Sequence, residues 1–286
     1  MIIIEVAGGL GNQMFQYALY TKLLSMGKKV KLDTFSYKNK DSMPFELDVF
    51  NLKYETDTRF ARSLYINEKM RKIMNEWRSF SGREGRTVYN EKLDVGYQPE
   101  ILKMDEVYLS GYWQCEKYFL DIEEKIRKQF IFPKPQNEEC IEMEKRILET
   151  PSTAVHVRRG DYLLPENDAK YGGICTINYY RNAMEYVRSL KPETEFYVFT
   201  NDYKWARENI REENTTIVTC NTGKDSFYDM YLMSLCQNNI IANSSFSWWA
   251  AWLNRHENKV VVSPYRWFKH LDVSDAICEN WIRIEG

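Results

Sequence analysis

The sequence predicts an α/β protein made of two successive parallel-sheet domains. Three observations carry this expectation. The chain opens with an apolar strand, a glycine loop, a helix and a second strand in immediate succession. From residue 152 onward, short β-branched runs alternate with amphipathic stretches through short polar connections, which is the pattern of a parallel sheet with helices on both faces. Between these halves Pro133, Pro135 and a helical stretch reaching Thr150 mark a boundary. The expected domains are therefore residues 1–150 and 151–286, each large enough to bury its own core.

In the first half, residues 1–6 read as a strand and 12–26 as a helix, with Met14, Ala18, Thr21 and Leu24 at helical spacing. Gly27 closes the helix and residues 30–33 give the next strand. This opening is Rossmann-like, and its loop, Ala7-Gly8-Gly9-Leu10-Gly11-Asn12-Gln13, lets backbone N–H groups approach an anion or a polar ligand. Gly9-Leu10-Gly11 followed by Asp33 also resembles a dinucleotide fingerprint, so a dinucleotide-dependent oxidoreductase is a competing reading, although Met14 holds the third glycine position. Residues 39–98 are charged and irregular: 44–50 read as extended, 64–77 as a basic, solvated helix. A strand at 107–112 ends in Gly111-Tyr112-Trp113-Gln114, an expected ligand-facing edge, and helices are expected at 118–129 and 138–149.

The second half opens on S-T-A-V-H-V-R-R-G-D-Y, residues 152–162. On a strand His156 and Arg158 point one way while Val155, Val157 and Arg159 point the other. Paired arginines at the end of an apolar strand demand anionic partners. A guanidinium matches a phosphate bidentately, which points to a phosphorylated ligand at Arg158; the alternative is an ion-pair cluster of Arg158, Arg159 and Asp161, and for Arg159 the structural role is the expectation. Residues 162–175 read as a long loop. Helices and strands then alternate to a strand at 259–263, and Thr200-Asn201-Asp202 caps a helix. Another strand, at 239–242, ends in Asn243-Ser244-Ser245-Phe246-Ser247 before a helix at 248–254. Hydroxyls and free N–H groups at that helix start suit phosphate oxygens, whereas Trp248 and Trp249 read as core. Asp229, on the preceding helix, is by default a surface acid; its carboxylate has the shape to accept from N1–H and the N2 amine of guanine together.

Composition excludes several classes. A net charge of −2 argues against nucleic acid or an anionic membrane as the main partner, leaving at most a peripheral membrane association. Fifteen per cent aromatic residues, including 20 Tyr, suit stacking on sugars as well as large cores. Six scattered cysteines without a C-x-x-C pair read as reduced thiols of a cytoplasmic protein. Met1 leads straight into a strand with no leader, and no apolar run is long enough to span a membrane. There is no D-x-D pair, the nearest being Asp121-Ile122-Glu123, and His156, His256 and His270 are widely spaced; neither a metal nor another cofactor is expected.

Three stretches together resemble glycosyltransferase family 11, the galactoside α-1,2-fucosyltransferases, in a bacterial form: G-G-L-G-N-Q-M-F-Q-Y at 8–17, H-V-R-R-G-D-Y at 156–162, and N-S-S-F-S-W-W at 243–249. They span nearly the whole chain in order, and the H-x-R-R-x-D element is shared with α-1,6- and protein O-fucosyltransferases. The resemblance implies a GT-B-like architecture of two Rossmann-like domains with a cleft between them, the first binding mainly a galactoside acceptor glycan and the second GDP-fucose. Carried over by motif, Arg158 grips the donor pyrophosphate, with His156 beside it. Asn243, Ser244, Ser245 and Phe246 form the phosphate-side segment, and Gly11 and Asn12 approach the sugar or diphosphate from the first domain. An acid fifteen residues before the paired serines reads guanine in the α-1,6 relatives, and Asp229 holds that spacing. The implied reaction is inverting and metal-independent, with GDP-fucose as a substrate. Its base stays open between Asp161, Glu166, which stands where a glutamate is implicated in some α-1,6 relatives, and no protein base at all.

Overall fold

The computed structural model describes residues 1–38, 43–58, 87–271 and 274–286. The described chain divides into two compact units, Met1–Ile131 and Phe132–Gly286. Both are Rossmann-like, as a GT-B-like chain requires: each has a fully parallel sheet with helical crossovers.

The first unit carries four strands in the order β2-β1-β4-β3, formed by β1 (Ile2–Glu5), β2 (Val30–Asp33), β3 (Thr87–Asn90) and β4 (Val107–Ser110). The isoleucines of β1 are fully buried between neighbours on both sides, as befits a central parallel strand. Helix α1 (Leu10–Ser25) is buried almost all round, through Leu10, Met14, Phe15, Tyr17, Ala18, Leu19 and Leu23, and Gly27 ends it in the left-handed region at φ 78°. Its two glutamines tie down the glycine loop. Gln16 accepts from Ala7 N–H (3.0 Å) and donates to the Gly111 carbonyl (2.8 Å). Gln13, fully buried, donates to the carbonyls of Gly8 and Pro44 (2.9 Å each) and accepts from the N–H groups of Glu46 and Leu47 (2.8 and 3.2 Å).

Several expectations for this half are corrected. Strand β3 lies inside the stretch read as irregular; it is a four-residue edge strand whose Val88 stays exposed, so its alternation was too brief to register. Residues 47–50 form a 3-10 turn, Leu47–Phe50, inside the segment read as extended. The helix expected at 118–129 is two 3-10 turns followed by α2 (Glu123–Gln129). Trp113 does not face a ligand: it turns back at φ 57° and is fully buried, because the Glu91 carboxylate accepts the N–H groups of both Tyr112 and Trp113 (2.7 and 2.9 Å). The helix read at 64–77 lies outside the described residues.

The second unit carries six strands in the order β10-β9-β8-β5-β6-β7: β5 (Ser152–Val157), β6 (Glu195–Thr200), β7 (Thr215–Ile217), β8 (Asn238–Ile240), β9 (Val261–Pro264) and β10 (Ile282–Ile284). The crossover helices are α5 (Ile177–Leu190), α6 (Tyr203–Asn209), α7 (Phe227–Leu235) and α8 (Ser245–Leu253). The chain runs β5 to β7 one way, then returns to place β8 against the other side of β5 and continues through β9 to β10. Right-handed crossovers put the helices of the two runs on opposite faces. Val155 and Val157 pack with Tyr179, Tyr180, Ala183, Met184 and Val187 of α5, while the next residue on the other face, His156, meets Phe246 of α8. The expected alternation of faces is therefore observed.

Helix α3 (Glu138–Glu149) packs on α7 and belongs to the second unit, so the division falls before it and not after residue 150. The loop read at 162–175 contains a 3-10 turn, Gly160–Leu163, and helix α4 (Pro165–Tyr171), whose Pro165 stands where the helix has no use for an N–H. Strand β10 was not anticipated; it is three residues long at the sheet edge.

Because the buried Gln13 side chain satisfies four backbone groups, Gln13→Ala is expected to lower the unfolding free energy by on the order of 3 kcal/mol, read from the urea midpoint. An unchanged midpoint would show that water replaces the amide.

Candidate functional site

In an open parallel sheet, ligands lie outside the carboxyl ends of the strands where the strand order reverses. In the second unit that point is β5/β8, and the Arg158 segment and the Asn243–Ser245 segment are the two strand ends that meet there.

Arg158 leaves the end of β5 half-buried. Its Nη2 lies 2.8 and 2.9 Å from the two Asp161 oxygens, and its guanidinium stands 5.5 Å from the centre of the Tyr162 ring. Its Nε is buried and has no hydrogen-bond partner among the described residues. His156 is 6% exposed, its ring 5.8 Å from that of Phe246, and its Nδ1 is likewise buried and unpartnered among the described residues. Burial, and then the neighbouring Arg158 charge, push its pKa down to about 3, so the imidazole is neutral at any working pH. A neutral imidazole with so low a pKa is a poor base but a competent hydrogen-bonding partner for an anion's oxygens.

Across the reversal, Ser244 precedes α8 with no side-chain cap, leaving N–H groups of the first turn to whatever lies at the helix start. The side chain of Asn243 is committed within the protein: it donates to the carbonyls of Tyr171 and Trp267 (3.2 Å each) and accepts from Cys175 (3.4 Å). Trp248 and Trp249 are core, as expected. Arg159 points away from His156, donates to Asp202 (3.2 Å) and stacks over Trp205 at 4.4 Å, which is the structural role expected for it. Gly160 takes φ 26°, and a side chain there would strike Asn201, which accepts the Arg159 N–H (3.0 Å).

Asp229 sits in the first turn of α7, on the same carboxyl edge. Its Oδ1 accepts from the Asn221 amide at 2.9 Å. Burial raises its pKa to about 7, the Asn221 hydrogen bond opposing the shift. A surface acid would show no such penalty, so this carboxylate is set into the protein and poised to gain from a hydrogen-bond donor. Tyr162 and Asn221 are the two residues of this edge that sequence reading missed; a hydrophilic neighbour carries no periodic signal.

The first unit has its own strand reversal, at β1/β4, and there the protein fills the position itself. The Glu46 carboxylate accepts the Leu10 N–H at 3.1 Å, occupying the helix start where a dinucleotide pyrophosphate would lie. Asp33 is 1% exposed and accepts from Phe35 N–H (2.9 Å) and the Tyr108 hydroxyl (3.2 Å), so it has no freedom to bind a ribose. Gly11 is buried in the first turn of α1, and the Asn12 side chain accepts from Gln114 at 2.7 Å. Gly11 and Asn12 thus belong to the first unit, while the other expected site residues gather on the carboxyl edge of the second. Helix α4 contains Glu166, whose side chain is outside the described residues. Among the described residues, no group of three or more His, Cys, Asp or Glu is arranged to hold a metal ion, and no helix is long and apolar enough to cross a membrane.

Two Rossmann-like units, each built on a fully parallel sheet, are the architecture of the GT-B-like class. The chain belongs to glycosyl transferase family 11, whose sequence model matches residues 1–285. It is 34% identical over 299 residues to an alpha-1,2-colitosyltransferase of Escherichia coli, covering 100% of this chain and 99% of that one. It is 32% identical over 301 residues to the O-antigen biosynthesis glycosyltransferase WbnK of Escherichia coli, covering 98% and 99%. It is 27% identical over 256 residues to galactoside alpha-(1,2)-fucosyltransferase 1 of Lagothrix lagotricha, covering 86% of this chain and 63% of that one. The oxidoreductase reading falls with this membership.

The raised pKa of Asp229 fixes a sign for stability. Between its ordinary value of 3.8 and about 7 the folded state holds a proton that the unfolded state has lost, so this group's contribution falls as pH rises through that window. Asp229→Asn is expected to be more stable than the parent at pH 8 by on the order of 2 kcal/mol, with the difference gone near pH 4. Equal denaturation midpoints at both pH values would show that the carboxylate is solvated.

Proposed function

We propose that the protein is an inverting, metal-independent galactoside α-1,2-fucosyltransferase that uses GDP-β-L-fucose. The observation that carries the reading is that the β5/β8 reversal carries the Arg158 guanidinium after one strand and the uncapped start of α8 after the other. The activities for which two of the relatives are named, transfer of a sugar through an α-1,2 linkage, support the reaction class.

In this reading the 2-hydroxyl oxygen of a terminal β-galactoside attacks the anomeric carbon of the fucosyl unit. The bond from that carbon to the β-phosphate oxygen breaks, GDP leaves with the electron pair, and the hydroxyl proton passes to a carboxylate or to water. The transition state is oxocarbenium-like, and negative charge grows on the departing diphosphate. Arg158, the N–H groups of the α8 start and the hydroxyls of Ser244 and Ser245 would meet that charge, which is the work a divalent ion does elsewhere. His156 would hydrogen-bond a phosphate oxygen without changing charge. Asp161 is paired with Arg158 and serves to hold it; whether Asp161 or Glu166 takes the proton is decided by their variants. Asp229 would accept from N1–H and the N2 amine of guanine. No nucleic-acid partner is proposed, and membrane association is at most peripheral.

The first relative named favours one second reading for the donor. Colitose is L-fucose without the 3-hydroxyl, so the same site chemistry admits GDP-colitose unless a protein group is paired to that hydroxyl.

With GDP-fucose and lactose in EDTA, we expect turnover and an α-1,2-linked product by NMR. Arg158→Ala is expected to cost on the order of 100-fold or more in kcat/KM. Near-normal activity of that variant, or tight NAD binding with no response to GDP, would falsify the transferase mechanism. GDP affinity measured by calorimetry is expected to weaken as pH falls below about 7, because guanine pairs with the ionised form of Asp229. A flat profile from pH 8 to 5.5 would remove Asp229 from base recognition.

A further inference from the structure

Tyr162 touches both sides of the strand reversal. From the 3-10 turn after β5 its ring lies beneath the Arg158 guanidinium, 5.5 Å from ring centre to Cζ. Its hydroxyl donates to the carbonyl of Asn243, at 3.0 Å, one residue before the Ser244 that begins α8. The ring itself is clamped: Tyr171 of α4 stacks on it at 5.2 Å with a 24° interplanar angle, and Phe268 backs Tyr171 at 5.7 Å. The side chain of Asn243 holds the same segment from the other direction, through the carbonyls of Tyr171 and Trp267. Burial raises the Tyr162 pKa, so the hydroxyl remains a donor throughout the working range.

We propose that Tyr162 is a positioning residue that sets the Arg158 guanidinium and the first turn of α8 in register across the β5/β8 reversal. The proposal rests on the diphosphate reading above. A diphosphate gripped from two strand ends is held only as well as those ends are held to each other. Arg158 reaches the reversal from β5 and the N–H groups reach it from β8; the Tyr162 ring fixes the first and its hydroxyl the second. Asp161 occupies Nη2 and the ring covers a face, which leaves the buried Nε, unpartnered among the described residues, as a donor to a ligand. The two halves of the side chain therefore have separable effects.

The test is calorimetry of GDP and of inorganic pyrophosphate with the full chain, together with kcat at saturating donor. Tyr162→Phe keeps the ring and loses the tie to Asn243; GDP affinity is expected to weaken about fivefold. Tyr162→Leu loses both, and affinity and kcat are each expected to fall on the order of tenfold or more. In an Arg158→Ala background the further loss from Tyr162→Leu beyond that from Tyr162→Phe is expected to shrink to less than about twofold, because the ring acts through the arginine. A merely structural ring would instead lower the melting temperature and leave that increment unchanged. Parent protein that binds neither GDP nor pyrophosphate defeats the diphosphate reading. Parent protein that binds GDP while Tyr162→Leu binds it equally well defeats this proposal alone. If Tyr162→Leu does not fold, an undiminished GDP affinity in Tyr162→Phe overturns it.

Discussion

A single positive charge delivered to the end of a buried strand constrains much of the second unit. Every residue of β5 is buried, so the chain must bring Arg158 out of an apolar sheet directly into a position where its guanidinium has partners. Asp161 supplies one, three residues on, and the tight turn through Gly160 is what returns the chain quickly enough for the carboxylate to reach. Asp161 leaves Nε without an acceptor among the described residues, and a buried donor left so carries a desolvation cost. In the reading proposed above, the diphosphate supplies that acceptor.

The neighbouring arginine shows what a purely structural solution looks like. Arg159 has a carboxylate on Nε, an aromatic face beneath it and its backbone N–H tied to Asn201. Nothing about that set asks for a ligand. Two adjacent residues of one type, on opposite faces of one strand, thus separate into a packed ion pair and an incomplete one.

Much of this was legible in the residues. Period-two alternation placed His156 and Val157 on opposite faces, and apolar runs located β5 and β6. The Ser244-Ser245 pair before a tryptophan-rich stretch marked the α8 start. What escaped was short or non-periodic. Strands β3 and β10 hold four and three residues, too few for alternation to stand out, and α4 was hidden behind a proline that reads as a loop signal as readily as a helix start. The domain boundary was placed after α3 because prolines were visible and packing partners were not; it is contact with α7 that assigns α3 to the second unit. The side chains of Asn243, Gln13 and Gln16 were beyond reach for the same reason, since their partners are backbone groups far along the chain.

The two strand reversals explain why similar glycine- and serine-bearing turns carry different chemistry. At β5/β8 the protein presents a guanidinium, an imidazole nitrogen unpartnered among the described residues and an uncapped helix start, all suited to meeting negative charge. At β1/β4 the helix start is already met by Glu46, Glu5 pairs with Ser110, and Glu91 holds the Tyr112 and Trp113 N–H groups. Burial raises the pKa of Glu46 and Glu91, so each pays to be charged there and would pay more beside a phosphate. In the reading proposed above, these carboxylates disfavour a diphosphate at the first reversal, while the second offers it hydrogen-bond donors. The glycine loop, taken alone, suits an anion or a polar ligand; the Glu46 carboxylate that accepts the Leu10 N–H occupies one of its donors.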